Sequence, residues 1–150
     1  MSRAPYQVLI IPYIKLDNTI KYCVFERKHP MFQFIAGGGE NEEMPIEAAK
    51  RECFEEARIQ SDDFIKLTSL NYIPTCIFSE SQRKTWGKET FVIPEYAFAV
   101  EVKSTDITIS EEHIGYKWVT HEEALLLLKW DSNKTALYEL DCRIKRNFFN

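Results

Sequence analysis

Three of the five glycines in this 150-residue chain are consecutive: Gly37, Gly38 and Gly39. A chain this sparing with glycine concentrates it where the backbone must turn sharply or approach another group closely. The segment that follows, PIEAAKRECFEEA at 45–57, reads as a helix. Pro45 suits the first helical position, and Glu42 and Glu43 suit the positive end of the helix dipole. Ile46, Ala49 and Cys53 recur as an apolar stripe. The spacing predicts a glycine loop that runs directly into a helix.

The rest of the chain fills in around that unit. Residues 6–15 are apolar and β-branched and read as a buried strand, in which Pro12 calls for an edge or a bulge. Asp17-Asn18 marks a turn, and 20–28 alternates well enough to be the hairpin partner. A short extended piece at 32–35 leads to the glycines. Further strands are expected at 64–79, 89–103 and 114–119, with SESQRKTWGKE between the first two as an exposed hairpin tip. Helices are expected at 121–129, with Leu125–Leu128 as a core stripe, and at 132–146, entered through Asp131 or Ser132 as N-cap. The sum is α+β, helices packed on a mixed sheet in αβα layers. With no linker, low-complexity stretch or repeat, residues 1–150 read as a single domain.

Composition narrows the function classes. Hydrophobic residues make up 45%, enough for a real core and too many for a disordered chain. The balance of 19 Lys+Arg against 23 Asp+Glu gives a net charge of -4, so duplex nucleic acid held through its phosphates is not an expected partner. Cys23, Cys53, Cys76 and Cys142 are widely spaced and form no C-x-x-C pair, which points to free thiols in a reducing setting. The N-terminus carries no apolar signal core, and no apolar run approaches the ~20 residues needed to span a bilayer. The expectation is a soluble, cytoplasmic protein without a membrane partner. A homodimer is among the assemblies left open.

The chemistry lies in the helix. Glu52 and Glu56 are spaced i, i+4, and Glu55 is i+3 from Glu52, so three carboxylates project from one side. Like charges at that spacing cost a few tenths of a kcal/mol per pair. Three acidic groups just after a glycine segment suit a hard divalent cation with oxygen ligands, Mg²⁺ or Mn²⁺. On its own the E-x-x-E-E pattern would be a solvated helix face; the glycines upstream favour the metal.

Gly37, Glu43, and then Arg51-Glu52-Cys53-Phe54-Glu55-Glu56-Ala57-Arg58-Ile59 resemble the Nudix box, G-x5-E-x7-R-E-U-x-E-E-x-G-U with U a bulky aliphatic residue. Arg58 departs from it, standing where the family has glycine, at a position after the helix where positive φ is common. The lead-in FQFIAGGGE and the stretch Ser110–Val119 extend the resemblance towards bacterial members that cleave nucleoside triphosphates. The tail from Trp130 to Leu137 resembles the dATP and dihydroneopterin triphosphate pyrophosphohydrolase type.

The resemblance implies an αβα sandwich that breaks a phosphoanhydride of a nucleotide-like small molecule with Mg²⁺ or Mn²⁺. It implies metal ligation by Glu52, Glu55, Glu56 and the Ala36 carbonyl. Glu112 would complete the site, with Glu111 as the fallback. Gly37, Glu43 and Arg51 would be structural, Arg51 orienting the glutamates while paired with Glu43. The general base would be Glu55 or, second, Glu112. The expected substrate is a (deoxy)nucleoside or pterin triphosphate. The alternatives are an ADP-ribose or nucleotide-sugar pyrophosphatase and, in a different class, a non-catalytic nucleotide- or RNA-binding module. The intact glutamate set speaks against the last.

Other residues are weaker candidates. Arg27 and His29 lie near the glycines and could meet phosphate. Among Phe32, Phe34, Trp86, Tyr96 and Trp130, Phe32 and Trp130 are the best candidates to stack on a base. His113 reads as a structural hydrogen-bond partner, and His121 as a helix-start residue without a role.

Overall fold

Residues 8–14, VLIIPYI, are buried without a break, as expected of a strand with helices on both faces. That strand, β1 (Arg3–Leu16), lies at the centre of a seven-stranded sheet in the computed structural model, which describes residues 2–28 and 31–147. The others are β2 (Thr19–Arg27), β3 (Met31–Gln33), β4 (Ile35–Glu40), β5 (Phe64–Pro74), β6 (Val92–Glu101) and β7 (His113–Val119). The order is β3-β2-β1-β6-β5, with β4 pairing β1 and β7 pairing β2. β1 runs parallel to β6 and antiparallel to β2 and β4, so the sheet is mixed.

Pro12 marks neither an edge nor a bulge. On one flank, β1 pairs with β4 through Arg3–Ile10 and with β2 through Tyr13–Leu16. Pro12, which has no N–H, falls where the partner changes. The glycines are likewise not a loop. They lie in β4, Gly37 opposite Val8 and Gly38 opposite Gln7, and none of the three has a positive φ. What they supply is room: a Cβ at Gly38 would lie 1.9 Å from Arg3 Nε, and one at Gly39 would lie 2.1 Å from the Tyr6 ring.

Helix α1 (Pro45–Ala57) begins with Pro45 as expected, and Glu47 closes its capping box, accepting from Met44 N at 2.8 Å. Its inner face is Ala48, Ala49, Cys53 and Ala57; Ile46 is exposed, so the apolar stripe starts one turn later than its spacing predicts. Arg58 takes the left-handed conformation, φ 56°, that glycine would adopt freely, and its guanidinium lies 4.7 Å over the Phe54 ring. The helix therefore ends where the glycine pattern would end it, and the cation–π contact offsets part of the strain.

The polar stretch expected to be a hairpin tip contains helix α2 (Glu80–Trp86), capped reciprocally by Ser79 and Gln82. Trp86 anchors it, donating through Nε1 to the Arg3 carbonyl at 2.7 Å. Helix α3 (His121–Leu127) is capped by Thr120, and α4 (Asp131–Lys145) starts one residue early, after Trp130. Leu125–Leu128 is not a core stripe: Leu128 is buried, whereas Leu126 is 89% exposed. α1 covers Val8, Ile10, Phe25 and Phe98 on one face. Leu9, Ile11, Tyr22 and Leu67 pack with Ala136, Leu137 and Leu140 of α4 on the other. The αβα layering follows.

Candidate active site

The three glutamates of α1 do not share one environment. Glu55 is exposed, whereas Glu52 is 9% and Glu56 1% exposed. Because 52 and 56 are one turn apart, their carboxyl groups meet in a space roofed by β4. A Cβ at Gly37 would lie 2.2 Å from Glu52 Cδ, so that position must be glycine for the carboxylate to fit. Burial pushes the carboxyls of Glu52 and Glu56 well above the ordinary range; Glu56 adds to the rise at Glu52, and Glu112 and Glu55 add to it at Glu56.

Arg51 is the neighbouring cation. It grips Glu43 with both arms, Nε to Oε2 at 2.8 Å and Nη2 to Oε1 at 2.9 Å. Nη2 also donates to the Gly38 carbonyl at 2.8 Å. Nη1 donates to Glu52 Oε1 and Glu55 Oε1, both at 3.0 Å. Glu43 Oε1 accepts in addition from Glu40 N at 3.0 Å. One guanidinium thus fixes the strand, the loop before the helix and two helix carboxylates together.

A distant segment closes the site. The loop after β6 donates to the orphan carbonyls at the end of α1, Thr108 N to Ala57 O at 3.4 Å and Ser110 N to Glu56 O at 3.2 Å. This brings Glu112 and His113 to Glu56. His113 Nε2 lies 2.8 Å from Glu56 Oε1, and candidate ligand atoms of Glu56, Glu112 and His113 all fall within 4.8 Å of one another. Burial, reinforced by Arg27, lowers the His113 pKa, so the ring is neutral at pH 7. Glu56 Oε2 is buried without a hydrogen-bond partner. A buried carboxyl oxygen without a donor, flanked by further carboxylates, is what a hard cation satisfies; these carboxylate oxygens suit Mg²⁺ or Mn²⁺.

The fold and this carboxylate nest can be set against known proteins. A family model for the NUDIX domain matches residues 16–140. The chain belongs to the NUDIX family. This NUDIX chain is 28% identical over 145 residues to the dihydroneopterin triphosphate diphosphatase of Haemophilus influenzae, covering 95% of this chain and 87% of that one. A structure assigned as a NUDIX hydrolase from Listeria monocytogenes superposes with a TM-score of 0.87 at 42% identity, over 98% of this chain and 99% of that one. The Escherichia coli dihydroneopterin triphosphate pyrophosphohydrolase shares the fold, with a TM-score of 0.73 at 21% identity over 94% and 99%. This NUDIX protein is an enzyme of the pyrophosphohydrolase type.

The remaining candidates fall in different places. Arg27 pairs with His113 across β2 and β7, and its charge acts on Glu56. His29 lies outside the described residues. Ala36 immediately precedes Gly37 in β4, opposite Leu9. Phe32 packs partly buried against the α4-side core, with Lys117 Nζ 5.2 Å from its ring. Trp130 is half-exposed and donates to Gln33 Oε1 at 3.2 Å, so Phe32 and Trp130 sit near each other where β3 meets the α3–α4 junction. Phe34 is fully buried and offers no face to a ligand.

Proposed function

We propose that the protein hydrolyses a phosphoanhydride of a (deoxy)nucleoside or pterin triphosphate with Mg²⁺ or Mn²⁺, giving the monophosphate and pyrophosphate. The buried Glu52–Glu56 pair carries this reading: Glu56 Oε2 has no hydrogen-bond partner among the described residues, and Glu112 brings a ligand atom within 4.8 Å of one on Glu56. Glu52, Glu56 and Glu112, with the Ala36 carbonyl, would hold the ion, and Glu55 would sit beside it. A bound divalent cation neutralises the carboxylates, polarises the attacked phosphorus and acidifies a water.

The chain's own groups do the rest. Arg51 holds Glu52 in place through a 3.0 Å contact while Glu43 and Gly38 hold Arg51. His113 orients Glu56 from the far side. Glu112 is the better-placed general base, since it is exposed beside Glu56 while Glu55 is engaged by Arg51. Arg27, which acts electrostatically on this cluster, would meet a phosphate oxygen. Similarity to the two dihydroneopterin triphosphate enzymes supports a triphosphate over a sugar nucleotide.

The test is a panel of nucleoside triphosphates, dihydroneopterin triphosphate, ADP-ribose and a nucleotide sugar, with products identified by mass. Cleavage of a triphosphate to monophosphate and pyrophosphate is expected with Mg²⁺ or Mn²⁺ and not with excess chelator. Turnover that persists in chelator would remove the metal from the reading, and cleavage confined to ADP-ribose would replace the substrate.

A further inference from the structure

The α4 side of the sheet carries another buried carboxylate, which hydrolysis does not use. Glu95 on β6 is 6% exposed. Gln7 Nε2 donates to its Oε2 at 2.7 Å, and Asn71 and Ser132 supply further side-chain hydrogen bonds. All three donors are neutral, and no cation pairs with Glu95 among the described residues. Glu95 forms one wall of a cavity of about 180 Å³. Leu9, Leu70 and Ala97 line it with apolar surface, and Asn71, Asp131 and Ser132 line it with polar groups.

We propose that this cavity is the heterocycle subsite of the same active site. Glu95 reads the adjacent ring N–H and exocyclic NH₂ of a 2-amino-4-oxopyrimidine ring, the edge shared by guanine and pterins. The inference rests on the pyrophosphohydrolase reading above. The chemistry selects this edge. Two parallel N–H donors meet the two oxygens of a carboxylate as a guanidinium does. Adenine presents an acceptor nitrogen next to its amine and would set a lone pair against the carboxylate. Hypoxanthine keeps the ring N–H but lacks the second donor. A carboxylate offers about four acceptor positions; three neutral donors leave one of them, and the negative charge, unmatched.

The pocket is joined to the glutamates of α1 by the sheet itself. Gln7 pairs with Glu95 on one side and with Gly38 on the other, which places Gly38 about 10 Å from Glu95 across two strand spacings. Between them lies Arg3, packed where a Gly38 side chain would be, donating to Gln7 Oε1 at 3.1 Å, with Nε buried and unpartnered. Among the described residues β4 pairs only with β1, so a triphosphate whose ring occupies the cavity on the α4 face would round the open edge of β4, past this guanidinium, to reach Glu52 and Glu56 on the other face.

The experiment compares kcat/KM for GTP, ITP, ATP and dihydroneopterin triphosphate in the protein and in Glu95→Gln. Calorimetric titration with GMP and IMP in chelator, where nothing turns over, runs alongside. GTP or the pterin should exceed ITP by about tenfold or more, and whichever of the two is faster identifies the source of the ring. In Glu95→Gln, with its melting temperature checked, the GTP-to-ITP ratio should approach one, mainly through KM. GMP should bind more tightly than IMP to the protein and equally to the variant. Equal use of GTP and ITP by the unaltered protein, or equal loss of both in Glu95→Gln, would overturn the assignment. If Glu95→Gln does not fold, Thr135→Trp fills the cavity from an exposed position on α4. It should abolish GMP binding, and retained binding would equally overturn the proposal. Failure to cleave any triphosphate, with GMP still preferred over IMP, would sink the hydrolytic reading and leave the pocket standing.

Discussion

The two faces of the sheet bury carboxylates in opposite ways. On the α1 face Glu52 and Glu56 are pressed against each other, with Arg51 reaching only one of them and one oxygen left without a donor. On the α4 face Glu95 stands alone among an amide, a second amide and a hydroxyl. A single buried anion is tolerable when hydrogen bonds replace its water. Two adjacent anions are not, because their repulsion grows as water leaves. The first site therefore requires added positive charge, and the second only a complementary edge. On the two proposals above, that difference separates a place for chemistry from a place for recognition, although both carboxylates lie against the same sheet.

The comparison breaks most sharply at the pair. Glu56→Gln and Glu52→Gln keep shape and remove charge, and each should cut the rate by ~10³-fold or more. Each should also abolish the rise in melting temperature that Mn²⁺ gives the unaltered protein. A near-normal rate in Glu56→Gln would move the metal off this helix. Glu112→Gln should cost less, ~10²–10³-fold, in the range of a single acid–base group. Steady-state rates across pH decide whether it acts as a base, since loss of the acidic limb, where protonation of the base slows the rate, accompanies loss of a base and not loss of packing.

A smaller effect comes from pH. The Glu52 and Glu56 carboxyls are pushed up to about 8, chiefly by burial. The folded protein thus holds protons that the unfolded chain releases near the ordinary glutamate value. Stability from this pair is full below about pH 4.5 and is lost as pH rises towards about 8. Metal-free protein should melt several degrees lower at pH 8.5 than at pH 6, and saturating Mn²⁺ should reverse the order. Equal melting temperatures without metal would show that the pair is not strained. The smallest effect belongs to Arg58→Gly. Relief of the left-handed backbone, about 1 kcal/mol, opposes loss of the contact over Phe54, so chemical denaturation should shift by less than about 1 kcal/mol. Rates should stay within a few-fold; a hundredfold drop would mean that Arg58 meets the substrate.

What could be read from the sequence followed local rules. Helix α1, its Pro45 start and the spacing of Gly37, Glu43, Arg51, Glu52 and Glu56 lie within 21 residues, so one periodicity places them together. The Arg51–Glu43 pair follows from the same stretch. Tertiary context overrode other readings. The glycines are a strand because they pair with β1, and Glu52, Arg3 and Tyr6 fill the space their side chains would take; no local signal reports either. Helix α2 was hidden by its polarity, since it buries no residue of its own and is held by Trp86 on the Arg3 carbonyl. Leu126 looked like core by composition, yet successive helix residues turn by about 100°, so four leucines in a row cannot all face inward, and Leu126 is exposed. Gln7, Asn71, Glu95 and Ser132 were missed altogether, because they converge from three strands and a helix and no two lie within twenty residues of each other.

The triple glycine also sets which substitutions this stretch can take. A methyl group at 37 would displace the Glu52 carboxylate, one at 38 the Arg3 guanidinium, and one at 39 the Tyr6 ring, whose hydroxyl donates to the Glu43 carbonyl at 2.6 Å. Three neighbouring codons thus answer to three separate tasks. A descendant that lost hydrolysis but kept its ligand could accept alanine at 37 while still refusing it at 38. The order in which these glycines decay along a lineage would record which task was abandoned first.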